Sequence, residues 1–230
     1  MKVATTGLEI TEGKIKYDDP IFNELVKKCK PAKQSPYYFE IFQDRYEAAQ
    51  AIVITEDQIL DLLILDMEKV ETRLTHVEDD QEKELLGRCQ NHLEKENPLC
   101  DMHTNETEQA TLHSLGFLSY KPTLIMSKPL PNLDVIFRLI LEKAGLMFFY
   151  TSGPEEVHAW LIKQGAQAVT CAGKIHSDLA RGFIKAEIIH YDQLISAHSF
   201  SDARKLGLTQ LVDRDYSIPN DTVLEIRFKV

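Results

Sequence analysis

The chain has 230 residues, 43% of them hydrophobic and 27% charged, a globular composition that excludes collagenous, low-complexity and disordered chains. Its net charge of −10 excludes a protein whose whole surface wraps nucleic acid, because phosphates need clusters of Lys and Arg. The chain has no run of 18 apolar residues and no signal-peptide core at its N-terminus, so we expect a cytoplasmic protein without membrane contact.

The first predicted element is a strand over residues 2–8, which runs into a loop with two glycines. Gly7 and Gly13 are separated by five residues, and Lys14 is followed by Ile15. A phosphate-binding P-loop has four residues between its glycines and a Ser or Thr after its Lys, because that hydroxyl binds Mg²⁺. Two glutamates in this loop would also repel a triphosphate. We interpret Gly7, Gly13 and Lys14 as a relic of a phosphate loop.

A helix is predicted next, because two aspartates at 18–19 supply a helix start and Pro20 lies in the first turn. Strands are predicted over residues 37–44 and 51–55, where aromatic and β-branched residues fill short runs.

Residues 57–96 are predicted to form two antiparallel helices. The first helix has apolar residues spaced alternately three and four apart, which is typical of a helix packed along its length against another. These residues are Leu60, Leu63, Met67, Val70, Leu74 and Val77. The second helix places Leu86, Cys89 and Leu93 on one face, after a charged turn. Residues 66–96 contain 10 acidic and 5 basic side chains, so the hairpin is acidic.

The rest of the chain is predicted to end in a small domain. Residues 97–116 are polar and irregular, a strand is predicted over 121–127 and an amphipathic helix over 132–144. Four further strands are predicted, with a short helix over 168–178 and a helical turn over 192–197. The strands cover residues 146–150, 157–162, 181–191 and 222–230. This pattern predicts a mixed sheet that packs on one helix.

The last third of the chain resembles a known domain. The segments FFYTSGPEEVHAWLIKQGAQA, AGKIHSDLARGFIKAEIIHYDQLI and DRDYSIPNDTVLEIRFKV are similar to the C-terminal TGS domain of the YchF (Obg-like) P-loop ATPase family. The resemblance implies an α/β protein with two domains. Residues 146–230 would form a ubiquitin-like β-grasp domain, and residues 1–145 a shortened, degenerate nucleotide domain with the helical hairpin inserted at about 57–96.

The sequence departs from the family at the nucleotide motifs. Gln43 occupies the position of the Asp in the family's magnesium motif D-x-x-G. Lys128 and Pro131 occupy the Asn and Glu positions of its base-recognising N-x-x-E motif. With the altered phosphate loop, these departures imply a protein that is not an enzyme and has no cofactor. The alternative is an ATPase or GTPase with an atypical nucleotide site.

A metal site is a further alternative. Cys89, His92, Cys100 and His103 form a C-x₂-H and C-x₂-H pattern, whose members could bind zinc from one helical face and the following turn. The chain would then be a zinc-stabilised protein–protein adaptor. Cys89 also fits the apolar helix face, and we expect no metal.

The resemblance implies a large partner, RNA or the ribosome, in a regulatory role. Residues 146–230 hold 9 basic and 10 acidic side chains against 17 and 26 in residues 1–145, so an RNA contact is expected in the C-terminal domain. Strand alternation predicts that Val157/Ala159/Leu161, Ile184/Ala186/Ile188 and Leu224/Ile226/Phe228 point inward. The opposite face would bind single-stranded RNA through His158, Trp160, Phe183, Lys185, Arg227 and Lys229. Alternatively this face packs on the N-terminal domain, and the acidic hairpin binds a protein.

Overall fold

The computed structural model describes residues 1–229, which form eleven strands and nine α-helices. The strands are β1 Lys2–Thr6, β2 Gly13–Lys16, β3 Lys33–Ser35, β4 Tyr38–Gln43, β5 Ala51–Thr55, β6 Thr123–Met126, β7 Leu146–Ser152, β8 Glu156–Lys163, β9 Phe183–His190, β10 Gln210–Val212 and β11 Thr222–Phe228. The helices are α1 Pro20–Cys29, α2 Ile59–Leu74, α3 Asp80–Leu93, α4 Glu106–Leu115, α5 Leu133–Lys143, α6 Ala168–Ile175, α7 Ser177–Arg181, α8 Tyr191–Ser196 and α9 Phe200–Lys205. Among the described residues, no helix has both the length and the apolar character needed to cross a membrane.

The chain divides into two compact units. The N-terminal unit is Met1–Ile15 with Phe39–Ala144, and the C-terminal unit is Lys16–Tyr38 with Gly145–Val230. The predicted boundary after residue 145 lies next to this division, but residues 16–38 group with the C-terminal unit rather than with the domain in which we expected them. The reason is that β3 pairs with β8 and α1 packs against β7 and β8.

The N-terminal unit is built on a five-stranded sheet with the order β2-β4-β1-β5-β6. Strand β1 pairs in parallel with β4 and β5, and β5 pairs in parallel with β6. Strand β5 is buried along its whole length, as its continuous apolar sequence requires, because parallel strands are covered on both faces. The carboxyl ends of these four strands therefore meet at one edge of the sheet.

Helices α2 and α3 lie within the predicted hairpin and share one buried cluster. Val70 of α2 and Cys89 of α3 are fully buried in this cluster. Leu60, however, is 49% exposed, so its assignment to the helix seam was wrong. The buried face of α2 consists of Ile59, Leu62, Leu63, Asp66 and Val70. It is rotated from the predicted seam because α2 also packs against the loop after α4.

Helix α4 falls in the stretch that was expected to be irregular. Asn105 and Glu108 form a reciprocal capping box at its start, and Gly116 ends it in the left-handed conformation with φ 66°. These are ordinary helix start and stop signals that outweigh the polar composition of the stretch.

The C-terminal unit contains a mixed six-stranded sheet with the order β10-β9-β11-β7-β8-β3. Strand β11 pairs in parallel with β7 and antiparallel with β9. Helix α6 covers one face, where Ala168 and Cys171 share a core with Phe149, Ile188 and Leu224. The other face is covered too, because the Phe148 ring stacks on Tyr17 at 5.8 Å. The two sheets and their helices confirm the α/β class.

Candidate functional site

The loop after β1 does not lead into a helix. Gly7 has φ +76°, and a Cβ built on it would lie 2.0 Å from the Thr55 hydroxyl oxygen, so close packing on β5 requires this glycine. Gly13 has φ +125° and begins β2, the edge strand of the sheet. A P-loop delivers phosphates to free amides at a helix N-terminus. The loop of residues 7–12 joins two strands and has no such helix end.

The same loop is tied to the end of β4 by its own carboxylate. Glu12 accepts a 2.7 Å hydrogen bond from the Gln43 amide and one of 3.2 Å from the Arg45 guanidinium. The Gln43 side-chain amide donates to the Ile10 carbonyl at 2.7 Å. The bond from the Gln43 amide lowers the pKa of Glu12, and the positive charge of Arg45 acts in the same direction. The Glu12 carboxylate therefore already engages two hydrogen-bond donors beside this loop, the Gln43 amide and the Arg45 guanidinium.

The three altered nucleotide motifs lie at one edge of the N-terminal sheet. Gln43 is the last residue of β4, and Lys128 follows β6 and pairs with Asp57 at 3.3 Å. Pro131 lies just before α5. Crevices at the carboxyl ends of parallel strands are where such sheets bind nucleotides. Gln43 and Lys128 thus lie at the edge of the sheet where the carboxyl ends of β4 and β6 meet.

The six residues predicted to form an RNA-binding face do not share one face. Trp160 lies opposite Phe149 and packs against the core under α6, and its ring stacks on His158 with the centroids 3.6 Å apart. Trp160 also donates to the Thr151 hydroxyl at 3.0 Å. Val157 and Ala159 are buried, as predicted, but they lie on the face of β8 opposite α6, because both faces of this strand are covered.

Lys185 and Arg227 lie on the sheet face opposite α6, where both are ion-paired. Arg227 donates to Glu187 at 2.6 Å, and Lys185 pairs with Asp213 at 2.5 Å. Glu187 is 1% exposed and also accepts from Arg204 at 2.7 Å. Burial opposes its ionisation, but the bonds from two arginines and a threonine outweigh burial and lower the pKa of Glu187 to about 2. These basic groups hold the sheet face together.

Phe183 and Lys229 lie together at one end of the sheet, where β9 begins and β11 ends. Phe183 pairs with Phe228, and the Lys229 amide donates to the Gly182 carbonyl at 2.9 Å. Phe228 is 46% exposed and Ile184 is 53% exposed, although both were predicted to point inward. Sequence alternation missed this end because the strand register shifts between Arg227 and Phe228.

The four residues considered for zinc are not assembled into a site. Cys89 is fully buried in the hairpin core, and burial raises the pKa of its thiol to about 11. The His92 ring contacts the Pro98 carbonyl at 3.2 Å, and the Cys100 thiol points to Asp101. Within residues 1–229, no group of three or more His, Cys, Asp and Glu side chains is arranged to hold a metal ion.

Comparison with known proteins finds similarity to YchF proteins. Residues 146–229 match the family model YchF-GTPase_C, described as a protein of unknown function (DUF933). The chain is 36% identical over 125 residues to the ribosome-binding ATPase YchF of Mycoplasma genitalium, covering 54% of this chain and 31% of that protein. It is 26% identical over 237 residues to the ribosome-binding ATPase YchF of Bacillus subtilis, covering 74% of this chain and 65% of that protein. The chain thus matches 31% of the length of the first relative and 65% of the second.

A solved structure shows the same fold. The structure of the YchF GTPase of Schizosaccharomyces pombe aligns with a TM-score of 0.77 over 96% of this chain and 88% of that one, at 17% sequence identity. The likeness extends over both units, whereas the family model covers the C-terminal part. On these findings the chain is a shortened, YchF-like protein.

Proposed function

We propose that this YchF-like protein binds the ribosome in a regulatory role, without hydrolysing a nucleotide, and that its C-terminal unit makes the contact. Two relatives, one of them 36% identical over the aligned part, bear the name ribosome-binding ATPase. The proposal rests chiefly on the family's C-terminal domain being present over residues 146–229, while the nucleotide motifs are altered.

The distribution of charge supports a contact through the C-terminal unit. This unit holds 14 basic and 13 acidic side chains, whereas the N-terminal unit holds 12 basic and 23 acidic. A polyanion such as ribosomal RNA is repelled by the N-terminal unit, and the repulsion is long-ranged at low salt. The C-terminal unit carries no such excess of negative charge.

The geometry of the loop after β1 supports a protein without nucleotide hydrolysis. Phosphate binding needs free backbone amides and a cation, but residues 7–12 lead into strand β2 and Glu12 brings a carboxylate to the Gln43 amide and Arg45. The residue after Lys14 is Ile15, which has no hydroxyl for Mg²⁺. Both features support a protein that does not hold the phosphates and the metal at this loop.

Two measurements test the two halves of this proposal. Co-sedimentation with purified ribosomes at low salt should recover the protein in the ribosomal pellet, and its absence there would refute the binding role. Titration calorimetry with Mg·ATP and Mg·GTP should give no binding heat. A dissociation constant of about 10 μM, roughly −7 kcal/mol, would revive the alternative of an ATPase or GTPase with an atypical site.

A protein partner for the hairpin is the second candidate. On α2, Leu60 and Ile64 are each 49% exposed one helical turn apart, next to the acidic side chains of Asp61 and Glu68. An apolar pair with an acidic border suits a basic amphipathic helix. Loss of binding in Leu60→Asp with an intact C-terminal unit would favour this candidate over RNA.

A further inference from the structure

A cavity lies inside the C-terminal unit, where three segments that are far apart in sequence meet. It has a volume of about 420 Å³ and is bordered by the end of α1, the turn between β7 and β8, and the segment from α8 to the first turn of α9. This volume falls within the range of pockets that hold small molecules. We call it the α1–α8 cavity, and it is defined by Lys28, Cys29, Ser152, Phe200 and Ser201.

The Lys28 ammonium group brings a positive charge to the cavity. It donates to the carbonyls of Ile195 at 3.3 Å and Ala197 at 2.5 Å, at the end of α8. Both acceptors are neutral, so these bonds hold the ammonium group in place without balancing its charge. An ammonium group has three donors, and one is left after these two bonds.

Hydroxyl groups supply further donors to the cavity. The Ser199 oxygen accepts from the Asp202 amide at 3.1 Å, so its own proton remains to be donated. The Ser152 hydroxyl lies 3.0 Å from the Cys29 thiol, and a thiol is a weak partner that a charged ligand can replace. Ser201 is exposed at the same cavity. Together with the ammonium group, the donors thus come from all three segments.

The remaining wall of the cavity is apolar. Leu194 and Phe200 are 2% and 8% exposed, and Pro154 lines the side formed by the turn. Of the described residues that line the cavity, Glu225 is the acidic one, and its carboxylate is paired with Arg204 at 2.9 Å. The cavity therefore keeps a net positive charge beside an apolar wall.

We propose that the α1–α8 cavity binds a small phosphate monoester with an apolar part, a function beyond the proposed ribosome binding. A phosphate monoester carries a charge of about −1.5 to −2 and three acceptor oxygens. These match one ammonium group and several hydroxyls better than the two oxygens of a carboxylate do. The apolar wall receives the carbon part of the ligand, because small-molecule pockets combine an apolar lining with a few polar groups.

The test uses the full chain, with phenyl phosphate as the probe and Cys29 as the reporter. Titration calorimetry first gives the dissociation constant. Cys29 lines the cavity, so the bound probe should block its alkylation by iodoacetamide, followed for each cysteine by mass spectrometry. At ten times the dissociation constant about one chain in eleven is unoccupied, so Cys29 should react about tenfold more slowly. Cys100, which is partly buried in the N-terminal unit, should react at an unchanged rate.

Matched variants test the charge in the cavity. Lys28→Gln should bind phenyl phosphate about tenfold more weakly, because a hydrogen bond between charged groups is lost. Lys27→Gln, on an exposed position of the same helix, should bind as the wild type does. Ser201→Asp leaves the bonds of Lys28 intact, adds a negative charge at the cavity and should abolish binding. Its control, Asn220→Asp, adds the same charge at an exposed position of the same unit and should keep the affinity.

Several results would overturn the proposal. Phenyl phosphate that gives no binding heat and does not protect Cys29 would show that the cavity is not a ligand site. Equal protection by benzyl alcohol would make the cavity purely apolar, and equal protection by benzoate would refute the preference for phosphate. Equal affinities in Ser201→Asp and Asn220→Asp would place the probe elsewhere. Ribosome binding is tested separately by co-sedimentation, so the failure of one proposal leaves the other standing.

Discussion

The buried carboxylate of Asp66 should hold the loop after α4 in place. Asp66 is 0% exposed, and its two oxygens accept hydrogen bonds from the Leu118 amide at 2.8 Å and the Ser119 amide at 2.7 Å. Both of these residues are buried, so water cannot replace the carboxylate. A helix side chain thus supplies the acceptors that a backbone ladder supplies elsewhere.

Replacing Asp66 with Ala would leave two buried amides without acceptors. Each such group costs about 1–3 kcal/mol, so the loss should be about 2–6 kcal/mol, or roughly 4–24 °C in melting temperature for a chain of this size. Asp66→Asn keeps one acceptor oxygen but turns its NH₂ group toward the other amide, so it should also destabilise. Glu71→Ala, on the exposed side of the same helix, is the control and should change stability by less than about 0.5 kcal/mol.

Thermal unfolding measures the loss, and amide hydrogen exchange shows where it occurs. The amides of Leu118 and Ser119 should exchange faster in Asp66→Ala, while the β5 amides keep their protection. If Asp66→Ala melts like Glu71→Ala and neither amide exchanges faster, the carboxylate does not organise this loop.

Three further predictions follow from buried or strained positions. Val70→Asp should lower the free energy of unfolding by several kcal/mol because it buries a charge, whereas Leu60→Asp should leave it nearly unchanged. If urea unfolding shows equal losses for the two variants, the observed buried face of α2 is contradicted. Gly7→Ala should lower the free energy of unfolding by about 1–3 kcal/mol, because Gly7 has a positive φ and contacts β5. Gly87→Ala should raise it by about 0.5–1 kcal/mol, because Gly87 lies inside α3 with open space around it. Differential scanning calorimetry compares the two variants. Stability should fall as the pH drops from about 4.5 to about 2, because the pKa of Glu187 in the folded protein lies below the usual 4.5. A Glu187→Gln variant whose acid-unfolding curve matches that of the wild type would contradict this.

The element types were largely predictable from the sequence, but the faces were not. The eight predicted strands correspond to β1, β4, β5, β6, β7, β8, β9 and β11, because apolar and β-branched runs between turn residues are a local signal. The missed strands β2, β3 and β10 have only three or four residues, and β2 and β3 are mostly polar, so sheet partners rather than local preference create them.

Faces depend on what lies on the other side of an element. Alternation predicts the inward side of a strand when one side meets water, but β8 is covered on both sides, and Trp160 therefore turned out to lie in the α6 core. A similar limit applies to α2, where a buried aspartate could not be anticipated without the loop that it binds. The exposure of Ile184 and Phe228 escaped prediction because the register shift beside Phe228 is invisible in a single sequence.

The C-terminal unit is discontinuous in sequence, and this affects how it is made and cut. Because Lys16–Tyr38 belong to it, a fragment beginning at Gly145 lacks α1 and β3 and would expose Phe148 and Tyr150, whose hydroxyl bonds to Asp19. Such a fragment would be prone to aggregate. During synthesis, residues 16–38 leave the ribosome more than a hundred residues before their sheet exists. The nascent segment must therefore wait, with its aromatic side chains unburied, until β7 and β8 have been translated.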